Sequence, residues 1–280
     1  MANNKFSVIM SIYKSDVPEY VQIAFESMLN QTRLPDEIVV VADGPVPASL
    51  KQVIDNLQFT IDNEKLPVEV VYLPQEKNRG LGEALRIAVE HAKYDYLARM
   101  DSDDICLPDR FEKQMKCFEE EPELSLVGGM ITEFVDTPDN IVNERRLPLE
   151  DADIKKFMRS RCGVNHVTVI FKKEDLLKAG NYRSDYRQED YYLWARMMKA
   201  GCKFKNIPDV VVNVRSGYDQ FARRSGWNYY LDHCAIFRFM YREGLISFPR
   251  LVYNYVVRGV VQGLMPNWLR TWTYQHMLRK

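Results

Sequence analysis

Cysteine is scarce and unpatterned. The five cysteines, Cys106, Cys117, Cys162, Cys202 and Cys234, are odd in number, widely scattered and free of any CxxC pair. That excludes a zinc site and a disulfide framework, and it predicts free thiols in a reducing cytosol. A surplus of one charge is missing too. Lys and Arg number 38 against 39 Asp and Glu, a net charge of -1, which excludes a strongly basic nucleic-acid binder and an acidic disordered tail. No uncharged apolar run approaches the ~20 residues needed to span a bilayer. The opening MANNKFSVIMSIYKSD has a short apolar strand where a signal peptide would have a longer apolar stretch. Thirteen Gly and thirteen Pro without a repeat exclude collagen-like and low-complexity chains.

What is present is a globular balance. With 280 residues, 46% of them apolar, the chain can bury a substantial core as one large domain or two small ones. Charge is unevenly spread: residues 215–280 hold ten Arg and Lys and three Asp and Glu, interleaved with aromatics such as Trp227, Tyr229, Tyr230, Trp268 and Trp272.

Residues 5–12 (KFSVIMSI) and 37–42 (EIVVVA) are short, nearly continuous apolar runs, the pattern of strands buried on both faces. Ser15, Asp16 and Pro18 give helix-start chemistry between them. Further strands are expected over 68–73, 94–100 and 124–129, and helices over 49–57, 83–92 and 108–120. This alternation predicts an α/β fold with a doubly wound, mostly parallel sheet. Later the pattern loosens, with helices over 151–159, 174–179 and 188–200 and strands over 165–171 and 205–214. From Trp227 onward the chain reads as mostly helical.

Ligands in such sheets bind at the carboxyl ends of strands, and three clusters follow strands: Ser11 to Lys14, Asp43-Gly44, and Asp101-Ser102-Asp103-Asp104. Two acids one residue apart can face one hard cation that keeps other positions open, which suits a diphosphate. The plainer reading is a solvated loop with capping aspartates, Asp104 among them. Asp43 can accept from a base or ribose, or simply favour its turn. Asn78-Arg79-Gly80 offers a guanidinium to a phosphate. The run Gly80-Leu81-Gly82-Glu83-Ala84-Leu85 lacks the third glycine of a dinucleotide fingerprint and does not directly follow a strand. Glu189-Asp190 opens a helix, where acids suit the helix dipole or supply a general base.

Together, SVIMSIYKSD, SMLNQT, EIVVVADGP, NRGLGEAL, ARMDSDDICLPDRFEKQ, NHVTVIFKKEDLLKAGNY and QEDYYLWARM resemble, in order, the family 2 glycosyltransferases of GT-A (Rossmann-like) fold, especially non-processive bacterial exopolysaccharide, capsule and O-antigen enzymes. The resemblance implies that Ser11, Tyr13 and Asp43 contact the nucleotide, with Asp43 at the uracil, and that Asn78, Arg79 and Gly80 flank it. Asp101 lies near the ribose and metal, Ser102 binds the nucleotide sugar, and Asp103 ligates Mn²⁺ or Mg²⁺. Asp190 is the base with Glu189 beside it, and His166 lies near donor and acceptor. One acid before Gly44 is replaced by Ala42. The segment from Gln220 to Arg224 resembles the QxxRW signature of processive synthases with Arg in place of Trp, and Arg223 and Arg224 are expected as a basic loop over the diphosphate.

The implied function is inverting transfer of a hexose from a UDP-sugar, with UDP-galactose the specific expectation, to a glycan acceptor carried on a polyprenyl diphosphate. The implied division is a GT-A domain over 1–214, nucleotide-binding to about 130 and acceptor-binding from about 131, followed by a basic, aromatic helical extension over 215–280. Leu251, Val252, Tyr255, Val256, Val260, Gly263 and Leu264 share one helical face there, which suits a membrane surface or packing on the domain. A cytoplasmic protein peripheral on the inner face of the plasma membrane follows, with no nucleic-acid partner. A nucleotidyltransferase would want glycines after the first strand, where Ser11-Ile12-Tyr13-Lys14 has none. A non-enzymatic carbohydrate-binding relative would have lost the acids present here.

Overall fold

The computed structural model describes residues 4–186, 188–217 and 227–264. At its centre β1 (Phe6–Ile12) pairs in parallel with β2 (Glu37–Ala42) on one side and β4 (Tyr96–Arg99) on the other. A strand flanked by strands and covered on both faces must be apolar throughout. Val8 and Met10 accordingly join Ile38 and Val40 in one core, while Ile9 joins Val39 and Val41 in a second core across the sheet. Helices α1 (Pro18–Leu29), α2 (Ala48–Glu64) and α4 (Arg110–Glu120) cover the first face, and α3 (Leu81–His91) covers the second.

With β3 (Glu69–Pro74) outside β2, the strands run β3-β2-β1-β4, all parallel. The chain reverses its direction of travel between β1 and β4, and this switch point opens a crevice at the strand ends. Beyond β4 the doubly wound pattern gives way to a mixed sheet. There β8 (Ile170–Lys172) is antiparallel to β4, β6 (Leu124–Phe134) antiparallel to β8, and β9 (Lys203–Arg215) parallel to β6. The short β5 (Ile105–Cys106) and β7 (Ile141–Arg145) pair antiparallel with β9 and β6. At the β6–β9 seam a Cβ on Gly129 would lie 2.5 Å from a Val211 methyl, so glycine permits the close approach.

The strand expected over 165–171 is instead a 3₁₀ turn, His166–Thr168, leading into β8. Polar side chains make the difference by bonding locally. Thr168 Oγ1 donates to the Asn165 carbonyl at 2.8 Å and accepts from Gly129 N at 3.0 Å, and Asn165 Nδ2 donates to the Gly129 carbonyl. After α5 (Asp151–Met158) and α6 (Lys173–Lys178) comes α7 (Glu189–Lys199). The C-terminal region forms α8 (Trp227–Arg242) and α9 (Phe248–Arg258), then a π-helical turn, Gly259–Leu264. Ile236, Phe237, Met240, Ile246 and Leu251 enter the same core as Tyr191, Leu193 and Trp194 of α7.

Gly44, just after β2, adopts φ +89°, and a Cβ there would sit 2.7 Å from the Asn78 backbone N. Gly44→Ala therefore combines a left-handed conformation with a backbone clash. It is expected to cost about 2 kcal/mol, read as a lower urea midpoint; an unchanged midpoint would refute this account of the turn.

Candidate active site

The carboxyl ends of β1, β2 and β4 carry the acids expected from the sequence, and side chains tie their loops together. Asp16 accepts from Tyr13 N at 3.0 Å and from Ser102 Oγ at 2.9 Å, joining the loop after β1 to the loop after β4. Ser11 is half-buried at the end of β1, and Tyr13 is exposed. The Asp43 carboxylate accepts from two consecutive backbone amides, Arg79 N at 2.7 Å and Gly80 N at 2.9 Å, while Asn78 Nδ2 donates to the Asp43 carbonyl at 3.1 Å. Two clusters read separately in the sequence thus form one bonded unit. Each Asp43 oxygen keeps a second lone pair for a ligand.

At the end of β4, Arg99 is buried and donates both terminal nitrogens to Asp101, with Nη1 2.9 Å from Oδ2 and Nη2 against Oδ1. Arg110, also buried, holds the Arg99 carbonyl at 2.7 Å. Asp104 does not cap a helix, as the plainer sequence reading had it. Its buried carboxylate accepts from Arg215 N at 2.8 Å and so fixes the end of β9. The Arg215 guanidinium lies 3.7 Å over the Tyr20 ring and 4.7 Å over Phe134, and its Nε donates to the Asp103 carbonyl at 3.2 Å.

These acids are crowded. Asp103 opens to solvent, yet the protein packed around its carboxylate, with Asp101 and Asp16 nearby, pushes its pKa up to about 6. Burial, then Asp101 and Asp103, push Asp104 well above the usual carboxylate range, and burial raises Asp16 as well. Among the described residues no three His, Cys, Asp or Glu side chains form a metal cage. With both Asp101 oxygens engaged by Arg99, Asp103 is the open acid of the pair. This donor set fits a hard cation that takes one protein carboxylate and finds its other oxygens on a diphosphate.

Glu189 and Asp190 occupy the first turn of α7. Burial and the adjacent Asp190 push the Glu189 carboxyl up to about 7, with Arg99 pulling the other way. Glu189 also lines a cavity of about 240 Å³ with Arg79, Gly80, Gly82, Ser184 and Tyr186. His166 hydrogen-bonds Tyr182 through Nε2 at 2.8 Å and meets the edge of Trp194. Burial and Arg99 hold its imidazole well below its usual pKa, so it is neutral. Arg223 and Arg224 lie outside the described residues. The sequence reading missed Arg99, Tyr182 and Arg215 and saw in Asp16 only a helix start. The one available signal was position, because Arg99 precedes the acid cluster on its strand and Arg215 ends a strand.

The glycosyl transferase family 2 model matches residues 7–178. The amylovoran biosynthesis glycosyltransferase AmsE of Erwinia amylovora is 40% identical over 93% of this chain and 94% of its own length. The UDP-Gal:alpha-D-GlcNAc-diphosphoundecaprenol beta-1,3-galactosyltransferase of Escherichia coli is 30% identical over 99% of this chain and 97% of its own. Among solved structures, residues 1–349 of S. aureus TarS in complex with UDP-GlcNAc superpose with a TM-score of 0.65 at 17% identity, over 97% of this chain and 79% of that one. The fold is the GT-A fold, with a helical C-terminal extension. By sequence match along most of its length, the chain belongs to glycosyl transferase family 2 and is a glycosyltransferase of the kind that builds bacterial surface polysaccharide.

Proposed function

We propose that the protein transfers a hexose from a UDP-sugar, with UDP-galactose the first candidate, to a sugar acceptor on a polyprenyl diphosphate, inverting the anomeric centre. The observation that carries this reading is the meeting of two acid groups at one crevice. Asp101 on the β4 side and Glu189 on the α7 side both lie within the electrostatic reach of Arg99, with Asp103 close to Asp101 and Asp190 next to Glu189. The E. coli relative, whose name specifies UDP-Gal and a diphosphoundecaprenol-linked acceptor, supports the choice of substrates.

On this reading Asp43, held by the amides of Arg79 and Gly80, receives the uracil edge, and Ser11 and Tyr13 line the nucleotide. Asp103 holds Mn²⁺ or Mg²⁺, which when bound offsets charge on the leaving diphosphate. Asp190 accepts the proton of the acceptor hydroxyl as that oxygen bonds to the anomeric carbon and the bond to the diphosphate breaks. Glu189, its carboxyl pushed up to about 7 by burial and the adjacent Asp190, keeps a substantial protonated fraction near neutrality and orients a sugar hydroxyl. Arg99 holds Asp101 in place through both of its terminal nitrogens.

The outer side of α9 supports a membrane-facing role. Phe248, Val252, Tyr253 and Val256 are all exposed there, and Val260 of the following turn is exposed as well, at spacings that form one helical stripe. After Glu243 the sequence contains five Arg and Lys and no acid, a balance suited to anionic lipid. Among the described residues no helix is long and apolar enough to cross a membrane.

Asp190→Asn is expected to bind UDP about as wild type does and to lose 10²–10⁴ in kcat, roughly the contribution of a general base; near wild-type kcat would remove Asp190 from that role. Metal dependence has a pH signature. A carboxyl whose folded pKa is raised weakens the fold as pH climbs from its ordinary value toward the folded one, for Asp103 from 3.8 to about 6. A cation among these acids recovers that loss, so Mn²⁺ should raise Tm more at about pH 7.5 than at about pH 4. Asp103→Asn should largely remove the difference, and an equal shift at both pH values would refute the site. For the membrane face, the protein should cosediment with vesicles containing anionic phosphatidylglycerol, and Val256→Glu should weaken that binding about tenfold. Equal binding by the variant would dismiss the α9 surface.

A further inference from the structure

The residue that opens α7 does not cap it. Gln188 occupies the N-cap position, where a short oxygen-bearing side chain would accept from the first-turn amides, and no such bond is made. Its side chain is turned away from its own helix and buried against α8. There the amide Nε2 lies 2.8 Å from His233 Nδ1 and 3.4 Å from the Tyr229 carbonyl oxygen. His233 is itself buried, boxed by the rings of Tyr229, Tyr191 and Phe237 at 4.8, 6.3 and 6.0 Å. Burial and nearby Arg258 keep the imidazole neutral. His233 Nδ1 also lies 3.1 Å from the Tyr229 carbonyl oxygen, so Nδ1, the Gln188 amide and that carbonyl form one polar triangle; with the ring proton on Nε2, Nδ1 accepts from the Gln188 amide. The next two residues after Gln188 are Glu189 and Asp190.

From this geometry we infer that Gln188 and His233 are positioning residues, and that α8 sets through them where the first turn of α7 presents Glu189 and Asp190. The inference rests on the proposed role of these two acids and extends it to the C-terminal helices, which lie beyond the residues matched by the family model. The physical need is plain. The first turn of a helix has no intrahelical partners for its amides, so an uncapped start frays, and the two carboxylates would fray with it. A polar bond to a buried, ring-boxed histidine fixes that start against a rigid wall. Misplacing a reacting group by about 1 Å costs on the order of a hundredfold in rate. The contact is therefore worth more to turnover than to stability.

His233→Leu keeps an apolar bulk and removes the acceptor, and Gln188→Leu removes the donor. His233→Asn keeps an acceptor oxygen close to the position of Nδ1. The expected result for both leucine variants is a fall in kcat of roughly 10- to 100-fold, with the Kd for UDP, measured calorimetrically, within about twofold of wild type. The double variant should be no worse than either single one, because the two changes break one bond. His233→Asn should recover most of the lost kcat. Unchanged kcat in His233→Leu, assayed well below its Tm, would overturn the inference. So would a His233→Asn variant as slow as the leucine variant, since packing alone would then explain the loss. Hydrogen–deuterium exchange of the 192–194 amides in the unliganded protein decides the same question without turnover. Exchange about tenfold faster in His233→Leu supports the clamp, and unchanged exchange refutes it. If wild type transfers no sugar to any acceptor, the proposed function falls while the exchange experiment still tests the clamp.

Discussion

A buried guanidinium at the end of a central strand organises the site. Arg99 is buried, and an unpaired charge there would cost several kcal/mol. Asp101 answers it with both oxygens, so the loop after β4 cannot swing away without exposing that cost. Arg110 holds the Arg99 carbonyl from below, and the His166 imidazole and Tyr182 hydroxyl lie within its field. Asp101 and Asp104 before α4 and Glu189 at the start of α7 thus share one fixed positive charge. Two loops far apart in sequence are held to a common reference.

That single charge is outnumbered. Asp16, Asp101, Asp103 and Asp104 crowd the same strand ends, with Arg215 the second cation in contact. Folding alone would not select such an arrangement, because each raised carboxyl opposes its own ionisation near neutrality. Unfavourable charge gathered in a crevice marks a site shaped for a ligand that brings positive charge with it. On the proposed reading the cation and the diphosphate arrive together, each making the other tolerable. Asp43 fixes the Arg79–Gly80 turn with one set of lone pairs, and on the same proposed reading the other set faces the nucleotide.

The sequence made legible whatever depended on local pattern. Apolar runs at 5–12 and 37–42 located β1 and β2, and the rule that ligands gather at strand ends pointed to Asp43 and to Asp101 through Asp104. Contacts between distant residues were not legible. Ser102 and Asp16 are 86 positions apart, and Arg215 and Asp104 are 111 apart; no periodicity announces such pairs. Arg99 looked like one more strand residue, because a buried arginine and an exposed one are spelled alike. The run 165–171 had strand composition, yet Asn165 and Thr168 bent it into a turn through bonds to Gly129, itself known as a neighbour only once β6 is placed. The mixed half of the sheet was hidden for the same reason, since strand direction depends on connections that cross the whole fold.

The C-terminal helices show how far the catalytic unit extends past its motifs. Phe237 and Met240 of α8 lie in one core with Tyr191 and Trp194 of α7, so α8 cannot be lifted off without opening the wall behind Glu189 and Asp190. Tyr255 of α9 donates through its hydroxyl to the Cys234 carbonyl of α8 at 3.1 Å, and Asn254 donates to the Arg159 carbonyl beyond α5. The inner side of this pair is therefore rigidly joined to the helix that carries the proposed base, while its outer side shows the apolar stripe. A lipid-linked acceptor has one end in the membrane and the other at the anomeric carbon. An enzyme for it must hold a fixed distance between surface and site. On the proposed reading, helices that pack against the catalytic wall on one side and face outward on the other meet that requirement.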